Sequence, residues 1–309
     1  MGFANKKISL IYHQKYGIPL PPNHRFMSSK FSDLFEEIKR NHLMDRAILL
    51  KPKPVAEMDL VIAHDPIYIK KIKTGCLSKD EERRLGLNWS PELAERSFLA
   101  VNGTLITAIE AMSRGIACHL AGGTHHSYYD FGSGFCVFND LAFTALRLLK
   151  MNYLKKIMIL DCDVHQGDGT AKILENEPAV FTCSIHCKKN FPARKAHSNL
   201  DIELPNGIGD EHYMSTLNHT LKICLDNFTP DLVIYDAGVD VAAVDELGYL
   251  DLTTNGIFER DKKVLDFFKS RSIPVATVIG GGYSKDPKEL AQRHCQIFKA
   301  AYEVHQHSG

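Results

Sequence analysis

The sequence predicts an α/β protein of three layers, α/β/α, with a central, mostly parallel sheet. Two observations lead there. Short apolar runs recur along the chain, continuous rather than alternating in character, and amphipathic stretches separate them. Strands that read as unbroken apolar runs are buried on both faces, and their alternation with helices places those helices on the two faces of a parallel sheet. The runs also end in segments rich in Gly and in His, Asp or Tyr. The carboxyl ends of the strands are where open α/β sheets bind ligands.

The elements follow in order. The first strand covers Lys7–His13, and a helix after it sets Phe31, Leu34, Phe35 and Ile38 on one face. Asp65 followed by Pro66 marks a helix start, with a side-chain acceptor before a residue that needs no N–H partner. Ser90 and Pro91 repeat the signal for a helix reaching about Arg114, with Gly115 as its left-handed stop. Further strands are expected at Ile116–Ala121, Lys156–Asp161, Ala179–His186, Asp231–Ala237 and Pro274–Gly280. Helices are expected over Asp140–Met151, Asp210–Asn227, Thr254–Arg271 and Asp286–Val304. No repeat, low-complexity tract or convincing linker interrupts the pattern, and the length suits one large domain as well as two.

Composition narrows the function. Lys+Arg and Asp+Glu are each 37, for a formal net charge of zero. Without a basic footprint, direct nucleic-acid binding is not expected. No apolar stretch approaches the ~18 residues of a membrane span. The apolar run before Tyr12 is too short for a secretory signal, and Lys6 stands where a myristoylation pattern from Gly2 needs Ser or Thr. Eight cysteines without a CxxC pair suit a reducing compartment, cytoplasmic or, in a eukaryote, nuclear.

Five expected strands run into AGGTHHSYYDFGSGF, DCDVHQGDG, SIHCKKNF, DAGVDVAAVD and GGGYSKD. In the second, alternation puts Asp161, Asp163 and His165 on one side of an extended segment. Carboxylate plus imidazole suits Zn²⁺, and a catalytic site needs a third ligand and an open position. Asp240, just beyond the Asp231 strand, is the best candidate. An isolated DxDxH is equally well explained by Asp161 and Asp163 capping the next helix, and it is the company of the other loops that favours metal. The tandem His125 and His126 suit proton transfer, with Asp161 and Asp168 available to orient them. Tyr283, after three glycines, has an exposed perch from which a phenol can donate to a carbonyl oxygen.

Together these motifs resemble the histone deacetylase family and its arginase/deacetylase fold, over about residues 5 to 303. PPNHRFMSSKF and the Gln of DVHQGDG look most like the class IV branch and its bacterial relatives. The resemblance implies that 1–309 is one catalytic domain, with Zn²⁺ on Asp163, His165 and Asp240, and His126 as general base and then acid. His125 would be its electrostatic partner, Asp161 and Asp168 their carboxylates, and Tyr283 the polariser of the acyl carbonyl. It implies a tunnel for an acyl-lysine stem lined by Phe135 and Phe191, with Gly134 as a backbone contact. It also implies a structural K⁺ on Asp161, Asp163, His165, Ser184 and Ile185. The expected partner is an acyl-lysine peptide or protein. The family's acidic rim residue has no clear counterpart between Cys76 and Ser90, although Asp80, Glu81 and Glu82 lie there. An arginase-like binuclear site needs carboxylates where Gly167 and Ala242 stand. An acetylpolyamine amidohydrolase and a catalytically silent scaffold are the other readings.

Overall fold

The computed structural model of the chain describes residues 7–306. The reading of Gly2 and the ends of the 1–309 domain therefore fall outside the described residues. Among those described, eight strands form one sheet: β1 Ile8–Ile11, β2 Ala47–Leu50, β3 Ile116–His119, β4 Ile157–Asp161, β5 Val180–Cys187, β6 Leu200–Leu204, β7 Leu232–Asp236 and β8 Val275–Val278. Their order is β2-β1-β3-β8-β7-β4-β5-β6 and every pairing is parallel.

The six expected strands are all present. The two that the apolar pattern does not reveal, β2 and β6, are the sheet's edges. Both are half-buried along most of their length, so they lack the continuous apolar signature of the fully buried β3, β4, β7 and β8.

Ten α-helices among the described residues flank the sheet. They are α1 Lys30–Arg40, α2 Glu57–Leu60, α3 Pro66–Thr74, α4 Lys79–Leu85, α5 Pro91–Arg114, α6 Asp140–Lys150, α7 Asp168–Leu174, α8 Asp210–Asn227, α9 Thr254–Lys269 and α10 Pro287–Gln306. Helices α5, α6 and α7 pack in sequence as one layer, and α1, α8, α9 and α10 as the other. On α1, Phe31, Leu34 and Ile38 are buried, while Phe35 lies half-buried at the margin and stacks on Tyr12. The Asp65 carboxylate accepts from the N–H groups of Ile67 and Tyr68, and the Ser90 hydroxyl accepts from Leu93 N. Gly115 ends α5 with φ +85°, but its ψ of −43° lies outside the left-handed helical region. The short helices α2, α4 and α7 are not legible in the apolar pattern. All eight cysteines are free thiols, and only Cys76 is exposed. No helix among the described residues is long and apolar enough to cross a membrane.

Candidate metal centre and active site

The five chemistry-bearing loops leave β3, β8, β7, β4 and β5, which are consecutive neighbours in the sheet. Segments far apart in the chain are thereby brought to one edge. Asp163 and His165 follow β4, and Asp240 follows β7. One ligand atom from each lies within 4.8 Å of the others, and all three side chains are buried. His165 Nδ1 stands 3.1 Å from Asp163 Oδ1 and 3.1 Å from Asp240 Oδ2. Backbone donors hold the carboxylates: Val164 N reaches Asp240 Oδ1 at 2.9 Å, and Gly281 N reaches Asp163 Oδ2 at 2.7 Å. Gly281 is needed because a Cβ there would press on both carboxylates.

This cluster fits a divalent cation. Two carboxylates buried together carry charge that only protons or a cation neutralise. Burial and the Asp163 charge push the Asp240 carboxyl up to about 7. Burial lowers the His165 imidazole, but its two carboxylate partners outweigh that and raise it to about 10. Both shifts draw protons toward groups whose oxygens and nitrogen a cation would satisfy instead.

Asp161 does not join this group. Its carboxylate lies against His125, as expected of an orienting group. Helix α7 is entered through Gly167 with no side-chain cap, which removes the capping explanation for DxDxH.

The tandem histidines are buried and oriented from behind. His125 Nδ1 lies 2.7 Å from Asp161 Oδ2, and His126 Nδ1 lies 2.6 Å from Asp168 Oδ1. Their Nε2 atoms face each other at 3.1 Å. Burial disfavours charge on His125, yet the Asp161 and Asp163 carboxylates hold its pKa well above the usual range. Burial and the His125 charge push His126 down to about 4, against the pull of Asp168. These opposite directions favour charge on His125 and a neutral His126.

Tyr283 is placed by Asp245, whose Oδ2 accepts from Tyr283 N at 2.8 Å. Its position is half-buried rather than an exposed perch, because the glycine loop folds down onto the site. Burial, then the Asp240 and Asp163 charges, drive its phenol well above the ordinary value, so the hydroxyl stays a donor. His126, Gly134, Phe135 and Tyr283 line both an entrance cavity of about 280 Å³ and a smaller inner space of about 30 Å³. Phe191 walls the entrance, its ring centred 4.8 Å from that of His126. Gly134 (φ +53°) lies flat against the His126 ring, where any Cβ would collide. Phe135 is held at φ +68°, with its N–H on Leu85 O at 2.8 Å.

For the K⁺ reading, the β4–β5 register sets Asp161 opposite Ser184, but the Ser184 hydroxyl engages His186 Nδ1 at 2.9 Å. Asp80, Glu81 and Glu82 do not line the entrance. Asp80 pairs with Arg83, Glu81 with Lys71, and Glu82 accepts from Trp89 N.

Several functional neighbours escape a reading of the sequence. Asp236, which opens the DAGVD segment, is fully buried and clusters with His125 and Asp161. Lys30 and Arg96 line the inner space, and Lys30 Nζ donates to Gly280 O at 3.2 Å. Arg260 is fully buried and donates to Cys162 O at 3.1 Å and Gly238 O at 2.7 Å, linking two loops of the site. The available signal is a Lys or Arg falling on the apolar side of an amphipathic helix.

Imidazoles for proton transfer, a phenol and ligands for a cation are the equipment of a hydrolase that turns water on amide bonds. The chain belongs to the histone deacetylase family: the family described as "Histone deacetylase domain" matches residues 24–301. It is 30% identical over 295 residues to Histone deacetylase 2 of Arabidopsis thaliana, covering 90% of this chain and 75% of that one. It is 28% identical to the acetoin utilization protein AcuC of Staphylococcus aureus, covering 84% and 72%. An uncharacterized protein of Picosynechococcus is 41% identical over 99% of this chain and 100% of its own length. Among solved structures, the HDA15 HD domain matches with a TM-score of 0.81 at 19% identity, covering 99% of this chain and 94% of that one, which supports the fold. The protein is accordingly a deacetylase-type hydrolase acting on an acylated substrate, with a buried His/Asp centre suited to a metal ion.

Proposed function

We propose that the chain hydrolyses the amide of N6-acyl-lysine in peptides or proteins, with Zn²⁺ held by Asp163, His165 and Asp240. The observation that carries this is the aromatic entrance between Phe135 and Phe191, opening onto the histidine pair and the acidic cluster. An extended alkyl stem fits such a passage and delivers its amide to the groups at its base. A bound zinc would act as Lewis acid toward the carbonyl and lower the pKa of water toward ~7.

The chain's own residues do the rest. Neutral His126, oriented by Asp168, takes the proton of the attacking water. Protonated His125, kept so by Asp161, steadies the negative charge that develops beside it. The Tyr283 hydroxyl donates to the carbonyl oxygen as it becomes an oxyanion. A protonated histidine then delivers a proton to the leaving lysine amine as the C–N bond breaks.

Potassium on Asp161, Asp163, His165, Ser184 and Ile185 belongs to this proposal, as do action as a single domain over 1–309 and residence in a reducing compartment. The test is a panel of lysine peptides acylated from acetyl to myristoyl, with acetylpolyamines alongside and a chelator control. Peptide turnover lost to chelator and restored by zinc supports the reading. Turnover of acetylpolyamines alone replaces it with the polyamine alternative.

A further inference from the structure

The mouth of the tunnel carries charge of one sign. The entrance cavity is lined by Arg25 and Lys189 and, among the described residues, by no Asp or Glu. Its other polar side chains are His126, His165, Asn190, Tyr249 and Tyr283. A second cavity of about 830 Å³ adjoins it, sharing Arg25, Leu247 and Tyr249 and adding Lys285 and one acid, Glu246. Arg25, Lys189 and Lys285 are exposed, and no ion pair engages them among the described residues. The nearby Asp245 is turned inward, facing Arg293 at 3.4 Å and accepting from the N–H groups of Leu247, Gly248 and Tyr283. The three acids of the 80–82 stretch are engaged elsewhere.

From this we infer a substrate preference, which rests on the acyl-lysine reading: the acyl-lysine lies in an acidic stretch of peptide, with Asp or Glu within a few residues on either side. Three free cations opposed by one carboxylate attract anionic flanks and repel a basic tail or a polycationic amine. Successive residues of an extended peptide advance ~3.3 Å, so a neighbour of the acyl-lysine reaches the larger cavity while the stem occupies the tunnel. There its carboxylate meets Arg25 and Lys285, and Lys189 faces the other flank. Exposed Tyr249 and Phe191 offer apolar surface for the peptide between these points.

The test uses three peptides that differ only in the residues flanking one acetyl-lysine: acidic, neutral or basic. KM and kcat are measured at low and high salt, and binding of the labelled peptides is followed by fluorescence anisotropy. The expected result is a KM about tenfold lower for the acidic than for the basic peptide, equivalent to about 1.4 kcal/mol. The gap should shrink as salt screens it. Arg25→Glu combined with Lys189→Glu should invert the preference with an unchanged melting midpoint. If that variant does not fold, Arg25→Gln with Lys189→Gln should erase the gap. Equal KM and equal binding for acidic and basic peptides, or a gap insensitive to salt, overturns the inference while leaving the acyl-lysine reading intact. An oligonucleotide that displaces the acidic peptide more strongly than the unlabelled peptide does would assign the cations to nucleic acid and also overturn it. Turnover of acetylpolyamines with none of any peptide defeats the acyl-lysine reading itself.

Discussion

Replacing Gly281 by Ala perturbs the cation site through one added methyl. A Cβ at Gly281 would stand 2.6 Å from Asp163 Oδ2 and closer still to Asp240 Oδ2. Ordinary contact begins near 3.4 Å, so Asp163 must give way by about 0.8 Å and Asp240 by more than about 1 Å. Neither retreats freely. Asp163 Oδ2 is also the acceptor for Gly281 N, and Asp240 Oδ1 the acceptor for Val164 N. Metal–oxygen distances in such sites tolerate only ~0.2 Å, so displacement of two ligands should lower zinc affinity by at least the ~10–100-fold seen for loss of a supporting group. The assay is competition for zinc against a chromophoric chelator, run beside Gly17→Ala, whose Cβ would meet Ser28 O at an ordinary 3.5 Å. Gly17→Ala should keep the parental affinity. Parental affinity in Gly281→Ala would refute the placement of the two carboxylates.

Other consequences are as direct. Tyr283→Phe removes the phenol donor alone and should lower kcat by about 10²–10³-fold with zinc content unchanged; equal loss of zinc would mark a structural role. Arg260→Met strips donors from the Cys162 and Gly238 carbonyls and leaves the buried Asp261 without its cation, with the Tyr235 hydroxyl still donating to it. Denaturant unfolding should show a loss of about 3–5 kcal/mol, and a change below about 1 kcal/mol would count against the linking role. Stability should also fall on acidification. Burial holds His64 down at about 4, and burial with the Arg96 charge holds His119 at about 3. Unfolded histidine titrates near 6.5, so between these values the unfolded chain binds more protons. The stability is complete above pH ~6.5 and declines below it, by about 3 kcal/mol per imidazole once pH ~4 is reached. An unfolding free energy that stays flat across that window would show that both imidazoles titrate freely in the fold.

Legibility follows locality. The six inner strands are plain in the sequence because burial on both faces demands an unbroken apolar run, as in Ile157–Asp161 and Leu232–Asp236. Helix starts at Asp65–Pro66 and Ser90–Pro91 are equally plain, since a cap is a matter of adjacent residues. The edge strands Ala47–Leu50 and Leu200–Leu204 are not, because each is only partly buried and its pattern resembles a loop. The grouping of Asp163, His165 and Asp240 can be expected from the company of their motifs, and the structure brings them together. Asp161 stands behind His125, where its expected orienting role puts it.

By itself, then, the sequence determined the parallel α/β architecture and which loops carry His, Asp and Tyr, because apolar periodicity and strand ends are local properties of the chain. Tertiary structure alone decided that Asp236 lies beside His125 and Asp161, that Arg260 ties the Cys162 and Gly238 loops, and that Arg25, Lys189 and Lys285 surround the mouth. Those relations join residues tens to hundreds of positions apart. They arise from strand order and from how loops pack above it, and neither leaves a periodic trace in the sequence.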